Sequence, residues 1–230
     1  MKPLRPWVML PSAWIQRGGL CNFRWERNGA GSGNTMALML LIVIAHQADI
    51  DTGVARITYD QFEAITDKSR AKIAKGITTL KRHMLIDVEG ASRSTFKICN
   101  YRRDRGWAAL PAKHLYDKDG CIAMFKGFTL RSPNELAALK IYLLIAAYRD
   151  RDTNSTSIGF DKISELTGID RAQIRLAKSH LIASSLMHVD PTKPDGAAAY
   201  FIYRLYGLYP RRHAGSTGRG DATAMPGTEG

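Results

Sequence analysis

Six cations lie between Asp67 and His83: Lys68, Arg70, Lys72, Lys75, Lys81 and Arg82, with no carboxylate among them. Side chains of this kind suit one task, the neutralisation of a polyanion, most often nucleic acid. Arg93 and Lys97 follow, then Arg102, Arg103 and Arg105. A sparser set recurs at Arg171, Arg175, Lys178 and Lys193. The chemistry that is missing narrows the reading further. The histidines are scattered, without H-x-H or H-E-x-x-H, and no C-x-x-C occurs, so neither a metal site nor a metal-dependent nickase is expected. No G-x-S-x-G and no paired-carboxylate pattern stands out. The Gly-rich run at 28–34 invites a phosphate-loop reading. That loop needs Lys then Ser or Thr after its last glycine, and here Asn34 and Thr35 follow Gly33. The run is read instead as a flexible, helix-capping connector. The expectation is a protein that is not an enzyme and uses no cofactor, with His83 and His180 at the surface or near DNA.

The elements that must position these cations are legible from spacing. Thr58 and Gln61 have the spacing of a capping box, which starts a short helix over 59–66. A tight turn at Asp67 and Lys68 leads into a longer helix running to about His83, with Ser69 as its N-cap. Along it Ile73, Ile77, Leu80 and Met84 form one apolar stripe, which leaves Arg70, Lys72, Lys75 and Arg82 on the opposite face, with Lys68 at the entry. Two strands, 84–88 and 95–101, follow around a polar loop at 89–94. A helix with an apolar back and a cationic front, docked by a tight turn on a shorter helix, suits a DNA groove. The pattern is a helix-turn-helix with a β-hairpin wing.

The run ITYDQFEAITDKSRAKIAKGITTLKRHMLIDV also resembles the winged-helix domains of bacterial regulators and of plasmid and phage replication proteins. Thr66, Ser69, Arg70, Ile73, Ile77, Leu80 and Ile86 fall on that family's motif. Asp67 departs from it, where glycine is frequent, as does the stretch from His83 to Leu85. The resemblance implies a DNA-binding protein of a mobile element, a regulator or an origin binder. Winged helices also bind proteins, and an inhibitor of conjugation or replication acting on a protein partner is the alternative.

Residues 35–89 align without a gap on 136–190, with about 15 of 55 positions identical. Upstream, Trp7, Leu10 and Pro11 answer Trp107, Leu110 and Pro111, and Cys21 answers Cys121. The expected architecture is α+β, mainly helical: two tandem winged-helix domains from an internal duplication. Their boundaries are expected at 1–101 and 107–208, with a basic linker at 102–106 and a disordered tail at 209–230. In the second copy helices are expected at 132–149, 161–167 and 171–184, with strands at 186–190 and 198–205. Asp170 is expected to cap the last of these helices.

The chain of 230 residues carries a formal net charge of +12. Residues 1–106 hold 17 Lys/Arg against 9 Asp/Glu, a net +8, whereas 107–208 hold 13 against 10, a net +3. The first copy is therefore the expected anion binder, with double-stranded DNA as partner. The second copy extends the site or meets a protein. Three widely spaced cysteines fit a reducing cytoplasm. No apolar run approaches the roughly twenty residues that span a bilayer, so no membrane association is expected. The oligomeric state is not specified by the sequence.

Overall fold

The computed structural model describes residues 4–26, 29–89, 94–192 and 200–208. They form an α+β fold, roughly half helical, with eight α-helices and three small antiparallel sheets among the described residues. The first half runs β1 (Trp7–Pro11), α1 (Ala13–Gln16), a 3-10 turn, α2 (Ala30–Gln47), β2 (Val54–Arg56), α3 (Tyr59–Thr66), α4 (Arg70–Arg82), β3 (Ile86–Val88) and β4 (Thr95–Ile98). The second half runs β5 (Trp107–Pro111), a 3-10 turn, α5 (Ala123–Lys126), α6 (Pro133–Tyr148), β6 (Ser155–Ser157), α7 (Phe160–Thr167), α8 (Arg171–Ala183), β7 (Met187–Thr192) and β8 (Tyr200–Leu205).

The repeat is visible element by element. The bounds of β2, α3 and α4 recur in β6, α7 and α8 at a displacement of 101, and the sheet orders β2-β4-β3 and β6-β8-β7 match. Local devices recur as well. One carboxylate oxygen of Asp49 accepts from the backbone of Asp51 and Thr52 and from the Thr52 hydroxyl; Asp150 does the same with Asp152 and Thr153. Thr66 and Thr167 each donate to the carbonyl four residues back, at 2.7 and 2.6 Å. Asp67 and Gly168 close the turn in the left-handed region, as the Cα geometry there demands.

Helices α2 and α6 are apolar on nearly every face and correspondingly buried, which is how such a helix is stable in water. They pack on one another at the centre of a single hydrophobic core that runs from Leu10 to Leu208. That core does not divide at 102–106. Instead, β1 pairs with β5, stacking Trp7 on Trp107 with ring centroids 5.7 Å apart. The lead-in of each half also docks on the other half. Cys21 donates to the Glu165 carbonyl at the end of α7, and Cys121 to the Ile65 carbonyl at the end of α3. His46, at the end of α2, is wholly buried across the same junction. Its Nε2 donates to the Pro111 carbonyl and its Nδ1 accepts from the Tyr116 hydroxyl, both at 3.0 Å. Desolvation pushes the imidazole pKa down to about 3, so the ring is neutral at neutral pH.

Several local expectations need correction. The Gly-rich run is not a loose connector, because α2 already begins at Ala30. Its glycines are there for close approach: a Cβ on Gly31 would lie 2.6 Å from the Trp25 ring, and one on Gly33 2.9 Å from the Lys75 stem. Thr58 and Gln61 do form the capping box, but Ser69 caps α4 without a side-chain bond; the Arg70 N–H donates to Glu63 instead, at 3.2 Å. Met84 is not in the apolar stripe. It turns out at φ 53° and is 76% exposed, so β3 begins only at Ile86. The paired part of β4 ends at Ile98 rather than Tyr101. In the second half Ser132 and Asp170 cap α6 and α8 through side-chain bonds. There α7 starts one residue early at Phe160, and the strands run 187–192 and 200–205.

Candidate nucleic-acid interface

Ile73, Gly76, Ile77 and Leu80 hold α4 against α2, the closest approach being at Gly76. At 100° per residue, the arc diametrically opposite that stripe carries Ala71, Lys75, Thr78 and Arg82. Lys81 and Arg70 border the arc on one side, Lys72 on the other. The apolar stripe thus turns five cations outward. A sixth, Lys68, is largely covered, with 12% of its side chain exposed; its ammonium donates to the Asp67 carbonyl and lies 3.9 Å from that residue's carboxylate.

These cations are not equally available. Arg70 is held by the neighbouring helix, with hydrogen bonds to Glu63 (3.1 Å) and Asp60, which raise its pKa. Lys75 reaches back to the Gly29 carbonyl at 2.7 Å, with its stem across Gly33. The Lys72 ammonium lies 3.5 Å from the Ser32 hydroxyl, beside a cleft that Arg131 also lines. Lys81 and Arg82 are exposed and have no ion-pair or hydrogen-bond partner among the described residues. Lys97 on β4 pairs with Glu89 at 3.4 Å. At the boundary between repeats, Arg102 and Arg105 share Asp104, and Arg103 pairs with Asp51. Arg93 and Lys193 lie outside the described residues.

The same positions in α8 read differently. Arg171 repeats the α4 arrangement by pairing with Asp161 at 2.5 Å. Arg175 lies over the Phe160 ring. Lys178 is half-buried among Phe160, Phe201 and Tyr203, its ammonium 4.6 to 4.8 Å from the three ring centroids and 2.8 Å from the Tyr203 hydroxyl. Burial lowers the pKa of that ammonium. Where α4 sets Lys75, Lys81 and Arg82, α8 sets Leu176, Ile182 and Ala183, and Leu176 and Ile182 are 55% and 46% exposed.

The two histidines expected at the surface are packed against the lead-ins. His83 lies 4.4 Å from Phe23 and His180 5.6 Å from Phe128, ring to ring, and the Nε2 atom of each is buried. Burial lowers the His83 pKa, with Arg82 adding to it. The described residues contain no cluster of His, Cys, Asp or Glu arranged to hold a metal ion, and no helix long and apolar enough to cross a membrane.

Three participants escape sequence reasoning. Asp60 and Glu63 neutralise Arg70 from another helix; the recurrence of Asp60 and Arg70 as Asp161 and Arg171 was the available signal. Arg131 reaches the α4 side from the second half, which no local pattern indicates. No protein-family model matches the chain, and a search of curated proteins gives no match to it.

Proposed function

We propose that this chain is a DNA-binding protein of a plasmid or phage, a transcriptional regulator or replication-origin binder working in the cytoplasm. In this reading its two repeats are tandem winged helices that arose by internal duplication, and the first of them meets duplex DNA with α4. The observation that carries the proposal is the outward arc of α4, where Lys75 and Arg82 stand opposite the apolar stripe with Lys81 and Lys72 at its two borders. The hairpin of β3 and β4, with Lys97, lies beside α4 as a wing would. Arg70 reaches a phosphate only by leaving Asp60 and Glu63. These pairs are exposed to solvent, which screens them, so the exchange is cheap.

A second reading, protein binding through the second repeat, is favoured by one specific feature. The outer face of α8 is apolar where that of α4 is cationic, and its predicted DNA-binding cations are occupied within the fold. The two readings separate in one titration. Affinity for a random duplex of about 25 base pairs is measured by anisotropy over a range of salt concentrations. DNA binding by α4 and its wing gives a fall of log K with log[salt] of slope about −3 to −5, from four or so neutralised phosphates. A flat response, or no binding at low salt, favours the protein-directed reading.

A further inference from the structure

Between α1, the C-terminal end of α4 and the stretch after β4 lies a cleft of about 560 Å³, a volume typical of ligand-binding clefts. Its floor is aliphatic: Leu10, Leu41, Leu85 and Ile98. Trp14 and Met84 form its walls, and Arg17, Arg102 and Arg105 stand at its rim. Met84 is the anomaly. The turn after α4 requires a left-handed residue, as does the corresponding turn at Ser185, with φ values of 53° and 52°. The second half meets that need with a small polar side chain, whereas the first places there a methionine that is 76% exposed. An apolar side chain in a backbone region that long side chains rarely adopt, projecting into water, is unfavourable on both counts. The floor differs too, since the counterpart of Leu41 is Tyr142, whose larger ring is fully buried.

We propose that this cleft receives an acidic amphipathic segment of a partner protein, with a bulky apolar side chain against Met84 and Trp14 and carboxylates on the rim. The charge supports that choice of occupant. Arg102 and Arg105 share the carboxylate of Asp104, and Arg17 adds a third positive charge among the lining residues, which leaves the rim cationic around an apolar floor. The four aliphatic side chains of the floor offer nothing to hydrogen-bond a base edge, and His83, Cys99 and Asn100 join the arginines in the lining. Methionine is the side chain best able to reshape itself around an incoming apolar group. The proposal does not rest on the DNA-binding reading, because none of Lys72, Lys75, Lys81 and Arg82 lines the cleft.

The test is selection of random displayed peptides of about a dozen residues on the full chain. Met84, Arg17 and Arg105 are all exposed, so substitutions there leave the core untouched. The expected consensus is a bulky apolar residue flanked by Asp or Glu. A selected peptide should bind about tenfold more weakly to Met84→Glu and to the double variant Arg17→Glu/Arg105→Glu. A lysine-substituted version of that peptide should regain affinity for the double variant. Selection without an acidic consensus, or equal binding to Met84→Glu, would overturn the proposal. So would displacement of the peptide, with the same Met84 dependence, by single-stranded DNA or by a synthetic 209–230 peptide. Self-association in sedimentation that Met84→Glu abolishes would assign the cleft to a second copy instead, and overturn it as well.

Discussion

Replacing Lys72, Lys81 and Arg82 together by alanine should lower affinity for duplex DNA about 100-fold at 0.1 M salt and flatten the salt slope by about 2–3. The magnitude follows from counterion release. Each cation that neutralises a phosphate contributes about 0.9 to the slope, and these three stand on or beside the outer arc of α4. None of them holds the fold: Lys81 and Arg82 lack internal partners among the described residues, and Lys72 has only a long contact to Ser32. Lys75 is left out because its stem covers Gly33 and its ammonium binds the Gly29 carbonyl, so its loss would mix stability with binding. The matching set in the second half, Arg171, Arg175 and Lys178, should lose less than about threefold in affinity, with the slope changed by less than about one. Those side chains are already satisfied by Asp161, Phe160 and the aromatic cluster on β8. Titration of both variants at several salt concentrations checks this. A greater loss from the second set would put the principal reader in α8.

Gly76→Val should destabilise the protein by about 3 kcal/mol, lowering the melting temperature by about 6–12 °C. Glycine in mid-helix costs about 1 kcal/mol relative to alanine, so its presence in α4 needs a reason. The reason is the helix crossing. A Cβ on Gly76 would stand 2.7 Å from Leu40 Cδ1, 2.9 Å from Met36 Cγ and 3.2 Å from the backbone nitrogen of Ala37. The Leu40 methyl can move, but the buried Met36 stem and the backbone of α2 have little freedom, and the branched methyls of valine drive directly into them. Alanine is a finer test, because its gain in helix propensity offsets the smaller clash, and Gly76→Ala should fall within about 1 kcal/mol of wild type. At the corresponding place in α8 stands Ala177, fully buried, where the crossing leaves room for one methyl. Chemical denaturation of both variants measures the difference. A valine variant as stable as wild type would mean that α4 does not lie on α2 as described, and that its outward arc is wrongly assigned.

How legible the chain is depends on how local the cause is. The bounds of α3 and the register of α4 follow from Thr58, Gln61, Ile73, Ile77 and Leu80, all of which act within two turns of helix. Met84 has the right spacing to continue that stripe, yet the chain has already turned left-handed there, and periodicity does not record where a helix stops. The glycines at 31 and 33 read as slack because Trp25 and Lys75, which press on them, approach from elsewhere in the chain. Arg70 reads as a free cation for the same reason, since its carboxylates sit on α3. Least legible is the exchange of lead-ins, in which Cys21 meets α7 and Cys121 meets α3. The repeat is plain in the sequence, but nothing in it says that each half would be completed by the other.

The central claim, that α4 and not α8 faces duplex DNA, is tested most directly by cleavage of bound DNA from a tethered iron chelate. Thr78 and Ser179 occupy corresponding exposed positions at the middle of the two outer arcs. Each is changed to cysteine in a chain whose Cys21 and Cys99 are serine; the third cysteine, Cys121, is buried. The chelate on Thr78→Cys should cut the duplex over a few adjacent base pairs, while the same group on Ser179→Cys should leave it intact or cut far more weakly. Cutting from position 179 alone, or from neither position under conditions where the protein is bound, would contradict the assignment of α4 as the DNA-facing helix.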